Sequence, residues 1–584
     1  MIRISRVFRP SSAQKFALYS LLTSTLWVLS FPGHGAMAPA GRGDYAALVA
    51  LTQEFFTWKE AGDDPLQRSA VQATARLGDL GAMQARLKDM NVRAWDRARQ
   101  ADYLALRSAM DQHEFLLRVS RPWERDPGYY VDRMLRLTFV DLPAEGETLE
   151  RLRQGLSSTV ALVETAKRNL RDVPTDFAAL AIHNLTQPDG VGHGHPYRAV
   201  PPAGVIGWYG DLLGRARVVQ PELVSEIAGA QDAVKGLHEW LVEHQPEMTG
   251  AAGVGKELLD WYLMHVKFMP YSSDDIEALA ERELERTWAF YALEQHRNRA
   301  LPILTLPESR EEYEGRIAKV DEEIRAFIRR EQFMTIPDYI PDDFREVGFN
   351  VPWIERPGGP NYWEQIQYRD PSPDHWHADI PGHKVDGRML RTIEHPIRRH
   401  FRDGGRLEGW ALYLEEAPLQ LGFYEERPRT RELIYNFGIF RSARTLGDVR
   451  LQRNEVSIPE VIKFWRSKTP WLDANVARVD AEIYLRRPPG YGLGYTMGSF
   501  QMYKLLADRK QQLRDGFVLG EFHDQVMAAG ALPMALIRYE ITGLTDEVEE
   551  FWNHTPLSEK LDELSADRLA GAAAGRGRSM PSGF

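Results

Sequence analysis

Apolar side chains recur every three or four residues through most of the 584-residue chain, with charged residues between them. Leu80, Met83, Leu87 and Met90 form one such series. This spacing places the apolar side chains on one face of an α-helix, whereas those of a half-buried strand would alternate. Few segments alternate in that way. The sequence therefore predicts a mainly α fold with many amphipathic helices.

The helical pattern has a first half, residues 44–335, and a second half, residues 336–564, which we take together as one large domain over residues 39–564. Prolines and aromatic residues are frequent early in the second half. They indicate loops, and a short edge strand around Tyr362–Tyr368. The last residues, 565–584, are rich in small side chains, and we expect a disordered tail there.

The N-terminus has the order of regions that is typical of a secretory signal peptide. Basic residues precede an uncharged apolar run from Phe16 to Phe31, and the small-x-small triplet Ala36-Met37-Ala38 follows. We expect a signal peptide at residues 1–38; an uncleaved anchor is the alternative, although the run is short for a membrane span. No later segment is apolar for long enough to cross a bilayer. The mature protein is predicted to be periplasmic or secreted.

Composition and motifs exclude several classes of function. The chain has no cysteine, which excludes a lipid-anchored thiol, disulfides and thiolate metal sites. Its net charge of −11 comes from interspersed acidic and basic residues, so no broad basic face for nucleic acid is expected. Neither a Gly-x-Ser-x-Gly elbow nor a Walker loop is present. His193 and His195 lie in a glycine-rich loop without flanking carboxylates, where we favour a surface turn over a metal site.

Two histidines and a later glutamate are the strongest candidates for chemistry: His377, His383 and Glu408. Imidazole and carboxylate groups are ligands that bind zinc. The two histidines are six residues apart, which would turn their rings to different faces of an unbroken helix. Pro381 and Gly382 interrupt the helix between them, and the interruption could bring the rings back together.

The spacing alone leaves alternatives open. A metal site is one; a polar loop in which both histidines are satisfied by hydrogen bonds is another. His383 and Asp386 are three residues apart and form a second candidate pair of ligands, in which case His377 would be only a neighbour.

These segments resemble the signature of a bacterial family, domain of unknown function 885, which is usually grouped with the gluzincin-type zinc peptidases. The family motif runs His-Glu-x-x-Pro-Gly-His-His, and Glu-Gly-Trp-Ala-x-Tyr follows later. The residues that match are His377, Pro381, Gly382, His383, Glu408, Gly409, Trp410, Ala411 and Tyr413. Three further segments are similar to the family, namely Asn361–Pro371, Gly492–Gly498 and Phe522–Asp524.

The chain departs from the family motif at three positions. Ala378 replaces the Glu that would polarise the attacking water, Lys384 replaces the second His of the pair, and Asp386 stands where Gln is common. A methyl group cannot take a proton, so hydrolysis would need another carboxylate. Asp379, Asp386 and Glu394 are the nearby choices, and we favour Asp379 because it lies between the two histidines; a turn-capping role fits it equally well.

The resemblance implies that His377, His383 and Glu408 hold one zinc ion and leave a fourth position to water. It also implies a Tyr or His that donates to the oxyanion, and Tyr495 and His523 stand in the matching segments. Manganese or iron would suit the same ligands. For the fold, the resemblance implies a large multi-helix, peptidase-like shell around a deep central channel, with at most a small β element near the site.

A group of arginines lies between the two parts of the motif, and Arg398 and Arg402 are its candidates for binding a substrate carboxylate; a solvated helix face is the other interpretation. A deep channel would admit short peptides or related amides. We therefore expect a metal-dependent hydrolase of such substrates. The alternatives are an inactive pseudopeptidase that binds a peptide-like ligand in the same cleft, and a hydrolase of a non-peptide amide or ester.

Overall fold

The structure, a computed structural model, describes residues 38–62, 64–189, 200–348 and 350–576, and of residues 567–576 the backbone alone. Helices make up 71% of the described residues. Within the described ranges β structure is limited to two isolated bridges. The predicted mainly α fold is therefore confirmed. None of the helices in these ranges combines the length and the apolar character needed to cross a membrane.

Twelve helices form the first half of the described chain. In order they are α1 (Tyr45–Ala61), α2 (Ala70–Lys88), α3 (Arg97–Phe115), α4 (Pro122–Arg125), α5 (Gly128–Arg136), α6 (Gly146–Asn169), α7 (Thr175–Thr186), α8 (Gly204–Val219), α9 (Val224–His244), α10 (Lys256–His265), α11 (Ser273–Arg297) and α12 (Arg310–Arg330). Two expectations of the sequence lie outside the described residues: the signal peptide up to residue 37, and the loop with His193 and His195.

Thirteen helices follow in the second half of the described chain. They are α13 (Phe344–Val347), α14 (Tyr362–Arg369), α15 (Ser372–Asp374), α16 (His383–Arg391), α17 (Gly404–Gln420), α18 (Thr430–Gln452), α19 (Ile458–Lys468), α20 (Ala474–Arg486), α21 (Gly494–Leu513), α22 (Leu519–Ala528), α23 (Met534–Thr542), α24 (Val548–Phe551) and α25 (Leu557–Arg576).

Polar residues in front of several helices explain where these helices begin. The side chains of Asp44, Ser69, Asp96, Ser309 and Asp403 each accept a hydrogen bond from the backbone N–H three residues later. Such a cap satisfies one of the four N–H groups that a helix leaves without an internal partner. Residues close in sequence therefore define where these helices begin.

The expected strand around Tyr362–Tyr368 is wrong, because these residues form most of α14. Asn361 caps the helix by accepting from the backbone N–H of Glu364, and the Glu364 carboxylate accepts from the backbone N–H of Asn361. This reciprocal capping box outweighs the strand preference of the aromatic residues.

Residues 565–576 continue α25, and the expectation of a disordered tail over residues 565–584 stays a prediction. This stretch contains five alanines, the residue with the highest helix propensity. Residues 577–584 lie outside the described part of the chain.

Helices α6, α8 and α9 pack into a bundle with its own apolar core. Leu156, Leu212, Ile227, Val234 and Leu241 are all buried in it. Burying each such side chain contributes about 1.5–3 kcal/mol before conformational entropy is counted.

Helices α17 and α21 cross at unusually close range, and this contact positions the candidate site. A Cβ added at Gly409 would lie 2.4 Å from the backbone carbon of Gly498, and one added at Gly498 would lie 2.1 Å from the carbonyl oxygen of Gly405. Real Cβ atoms cannot approach backbone atoms so closely. The glycines thus let the backbone that carries Glu408 lie directly against α21.

Candidate metal centre

His377 lies in a single turn of π-helix, His375–Asp379, and His383 opens α16 after a short turn. The turn brings Gly382 against the first segment, where an added Cβ would lie 1.9 Å from the carbonyl oxygen of His377. Only glycine fits there. Single π-helical turns often occur at functional sites, since they rotate a side chain away from its regular position. The interruption at Pro381-Gly382 does bring the two rings together, with their centroids 4.9 Å apart.

The side chains of His377, His383 and Glu408 converge, and one ligand atom from each lies within 4.8 Å of the others. No other group of three His, Asp or Glu side chains converges in this way among the described residues. His383 Nε2 lies 3.1 Å from Glu408 Oε2, and His377 Nε2 lies 3.9 Å from the same oxygen. All three side chains are largely shielded from solvent, with His383 the most exposed.

A buried ion pair behind His377 fixes the orientation of its ring. His377 Nδ1 lies 2.8 Å from Glu415 Oε1, and that oxygen also accepts a hydrogen bond from Arg441 Nη2 at 2.9 Å. The contact between Nδ1 and Oε1 is short but lacks hydrogen-bond geometry. Because a carboxylate can only accept, the contact favours the tautomer with the proton on Nδ1, in which the lone pair of Nε2 is available to the other candidate ligands. Glu408 and Glu415 are seven residues apart, two turns of α17, and therefore share one face of the helix.

Glu408 is held by a tyrosine from the opposite side. Tyr491 Oη donates to Glu408 Oε1 at 3.0 Å, which leaves Oε2 to face the histidines. The indole of Trp410 donates to the carbonyl oxygen of Pro381 at 3.2 Å and so ties α17 to the turn between the two histidines. His377 and Glu408 thus have contacts outside the cluster, as is usual for ligands of protein-bound metals, whereas the His383 side chain is held by Glu408 and by its place at the start of α16.

The electrostatics of the cluster favour, at His377 and Glu408, the protonation states that a metal needs. Burial lowers the pKa of His377 well below its usual value, and the nearby Arg441 and His383 lower it further. Burial alone would raise the pKa of Glu408, but the adjacent His383 and His377 outweigh it and hold that pKa at about 2. A neutral imidazole and an ionised carboxylate are the forms that coordinate cations.

The residues present fit a divalent metal better than a simple ion pair. An ion pair accounts for His383 and Glu408 alone, and it raises the pKa of His383 against the opposing effect of burial. It does not account for His377. The contact of Nδ1 with Glu415 leaves Nε2 facing Glu408 Oε2, yet the distance between these two atoms is too long for a hydrogen bond. Two histidines and one glutamate are a known ligand set of catalytic zinc sites.

The structure ties Asp379, the favoured replacement base, to other residues. Asp379 Oδ2 lies 2.8 Å from His375 Nδ1, and Oδ1 lies 2.8 Å from Lys384 Nζ. Asp386 forms a buried ion pair with Arg406, and Glu394 is exposed. The contacts therefore give no support to a general base at Asp379. Lys384 stands at the position of the second His in the motif, and its contact with Asp379 gives it a structural partner.

The two predicted oxyanion donors differ in their surroundings. Tyr495 lies beside Tyr491, and burial followed by the charge of Glu408 raises its pKa well above the usual value, so it stays a protonated donor near the cluster. His523 is fully buried, with Nδ1 2.6 Å from the carbonyl oxygen of Phe333 and Nε2 2.9 Å from Tyr413 Oη. Both nitrogens of His523 are therefore occupied, and its contacts favour a structural role.

The predicted substrate-binding arginines are engaged within the fold. Arg398 is buried and lies 2.8 Å from carboxylate oxygens of both Asp102 and Glu540. Arg402 is exposed and donates to backbone carbonyl oxygens, including that of Phe401 at 2.6 Å. The structure thus shows Arg398 fastening together segments that are distant in the chain, and a substrate-binding role for either arginine stays a prediction.

The sequence analysis missed Glu415, Arg441 and Tyr491. Glu415 had a readable signal, because an acid two helical turns after Glu408 must lie on the same face of α17. Tyr491 follows Gly490 and precedes Gly492, a composition that indicates a tight turn but no role. Arg441 has no local signal, since its partner belongs to a different helix.

Comparison with solved structures supports the observed fold. A putative lipoprotein of unknown function from Shewanella oneidensis is similar with a TM-score of 0.61 and 16% identity, over 85% of this chain and 99% of that one. A putative lipoprotein from Colwellia psychrerythraea is similar with a TM-score of 0.63 and 15% identity, over 85% and 98%. A comparison with curated proteins finds no match. Residues 58–541 match the bacterial proteins of unknown function DUF885, and the chain therefore belongs to this family.

Proposed function

We propose that the chain is a metal-dependent hydrolase of short peptides or related amides, with zinc held by His377, His383 and Glu408. The observation that carries the proposal is the convergence of these three side chains, with one ligand atom from each within 4.8 Å of the others. Zinc, when bound, supplies Lewis-acid activation of a carbonyl group and of water. The proposed location is the cell envelope or the extracellular space, in keeping with the description of the two similar structures as lipoproteins.

The residues around the cluster would have separate tasks in this reaction. Glu415 keeps the proton on His377 Nδ1 and thereby keeps Nε2 available as a ligand atom. Tyr491 holds the Glu408 carboxylate in place. Tyr495, protonated and next to Tyr491, is the candidate that could donate to a developing oxyanion.

A second candidate function is a metal-bound pseudopeptidase that binds a peptide-like ligand without cleaving it. The specific observation in its favour is the missing base. Ala378 occupies the position of the usual glutamate, and both oxygens of Asp379 are paired with His375 and Lys384. A carboxylate held by two cations is a poor proton acceptor.

Metal content measured by mass spectrometry tests the site itself. Protein purified without chelator is expected to hold about one zinc per chain, and His383→Ala and Glu408→Ala are expected to lose it. His395→Ala is the matched control, because His395 lies outside the cluster. No zinc in the wild type after zinc is added back would reject both candidate functions.

Cleavage of a mixed peptide library by the zinc-loaded protein separates the two candidates. A hydrolase is expected to produce fragments that disappear in His383→Ala. If wild-type protein produces none, Ala378→Glu is the decisive variant, because it restores the carboxylate beside His377. Activity that appears only in Ala378→Glu would support the pseudopeptidase.

A further inference from the structure

A cavity of about 310 Å³ lies between α11, α17, α18 and α21. Its volume is in the range of small-ligand sites. It reaches Glu415, the residue that orients His377, but none of the three candidate metal ligands lines it. The cavity is therefore a separate space that shares one carboxylate with the metal centre.

The lining is mostly apolar with an excess of acidic groups. Leu412, Ile434 and Phe500 supply apolar walls. The charged lining residues are Glu283, Arg286, Glu415, Glu416 and Arg441. Three carboxylates against two guanidinium groups leave one net negative charge. Both arginines are already paired, Arg286 with two of the carboxylates and Arg441 with the third.

Most of the unpaired polar groups that line the cavity can accept a hydrogen bond, and Arg441 Nε is the one unpaired buried nitrogen donor among the described lining residues. The hydroxyls of Thr287, Ser442 and Ser499 each donate to a carbonyl oxygen of their own helix at 2.8–2.9 Å, so their oxygens can only accept from a ligand. Glu415 is 1% exposed, and its Oε2 has no hydrogen-bond partner among the described residues; the same holds for Tyr503 Oη. An unpaired buried acceptor costs about 1–3 kcal/mol, and a ligand that donates would remove that cost.

We propose that the cavity binds a primary ammonium group carried on an apolar body, with the ammonium against Glu415 Oε2. An ammonium offers three donors, which matches the surplus of acceptors, and its charge balances the excess carboxylate. The apolar walls take the body of the ligand. A carboxylate ligand would meet the wrong charge, and a neutral alcohol would leave the excess charge unbalanced.

Titration calorimetry with benzylammonium on chelator-treated protein tests the proposal, and benzyl alcohol and benzoate serve as isosteric comparisons. Benzylammonium is expected to bind saturably at one site and about tenfold or more tightly than benzyl alcohol, with benzoate weaker still. Metal-free protein is used because ammonium binding in the cavity does not depend on the proposed hydrolase function. A negative result for either proposal therefore does not decide the other.

Variants assign the binding to the cavity. Glu415→Gln is expected to weaken benzylammonium binding by about tenfold or more, and Leu412→Trp to abolish it by filling the space. Glu285→Gln, an exposed acid on α11, is the matched control and should leave binding unchanged. If Glu415→Gln does not fold, Tyr503→Phe replaces it, with an expected weakening of about threefold. Equal binding of the alcohol, or full binding by Leu412→Trp, would overturn the proposal.

Discussion

Two regions of the molecule differ in the kind of side chain that they bury. One is the bundle of α6, α8 and α9, and the other is the region around α17, α18 and α21. The core of the bundle consists of apolar side chains such as Leu212 and Ile227. The second region buries charged groups, including Glu415, Arg441 and Asp448, each 4% exposed or less. Burial of a charge costs several kcal/mol unless partners compensate for it. The proposed metal centre lies in the region that buries ionisable groups, and substitutions in that region test whether those groups serve it.

The largest expected effect is a pH dependence of the free energy of unfolding that arises in the second region and not in the bundle. Asp448 is buried, and burial, only partly offset by N–H groups of Leu493 and Gly492, raises its pKa to about 7. The folded state thus holds a proton between about pH 4 and pH 7 that the unfolded state has lost, so stability falls as pH rises through this window. Asp448→Asn should remove a dependence on the order of 4 kcal/mol from the free energy of unfolding.

Chemical denaturation between pH 4.5 and 8, in steps of about 0.5 pH unit, checks this expectation. The quantity to follow is the difference in the free energy of unfolding between wild type and Asp448→Asn. Asp232→Asn, at an exposed carboxylate on α9, is the matched control from the bundle. Parallel curves for wild type and Asp448→Asn would show that the buried carboxylate contributes no pH dependence, and that the two regions do not differ in this respect.

Glycine substitutions give the next largest effect on stability, and they compare how closely helix backbones approach each other in the two regions. Gly498→Ala places a methyl group against the carbonyl oxygen of Gly405 and should cost about 3 kcal/mol of stability, since α17 and α21 must separate. Gly229→Ala on α9 meets no atom within 4 Å and should gain up to about 1 kcal/mol through helix propensity. Denaturant unfolding measures both. Effects of the same sign would contradict the close contact of α17 with α21.

The same contrast explains how much of the molecule could be predicted from its sequence. Helical periodicity is local, and it correctly gave the fold class. The motif singled out His377, His383 and Glu408, which the structure brings together. The partners of buried charges are not local, because Arg398 meets Asp102 across 296 positions of the chain. No spacing rule could therefore show that Arg398 was already paired. Asp379 differs, because His375 lies four residues before it, and that helical spacing could have indicated one of its partners.

Glu415→Gln tests whether the buried charges serve the metal centre. Loss of the carboxylate behind a ligating histidine commonly weakens metal binding by about 10–100-fold. We expect a weakening of this size for zinc, measured by competition with a chelating dye. Glu416→Gln is the matched control, since Glu416 is the next residue but pairs with Arg286. Equal zinc affinity in the two variants would mean that Glu415 serves the fold alone.

Tyr491→Phe should have the smallest effect, because it removes one hydrogen bond and leaves the ligands intact. Without the hydroxyl, Glu408 Oε1 loses its partner at 3.0 Å and the carboxylate gains rotational freedom. A net contribution of about 1 kcal/mol, the usual value for one intramolecular hydrogen bond, would lower zinc affinity about threefold to tenfold. The chelating-dye competition measures it, with Tyr339→Phe as the control, since Tyr339 is 50% exposed. A loss as large as that of Glu408→Ala would instead make Tyr491 indispensable to the site, and the order of effects from Glu415 to Tyr491 would then be reversed.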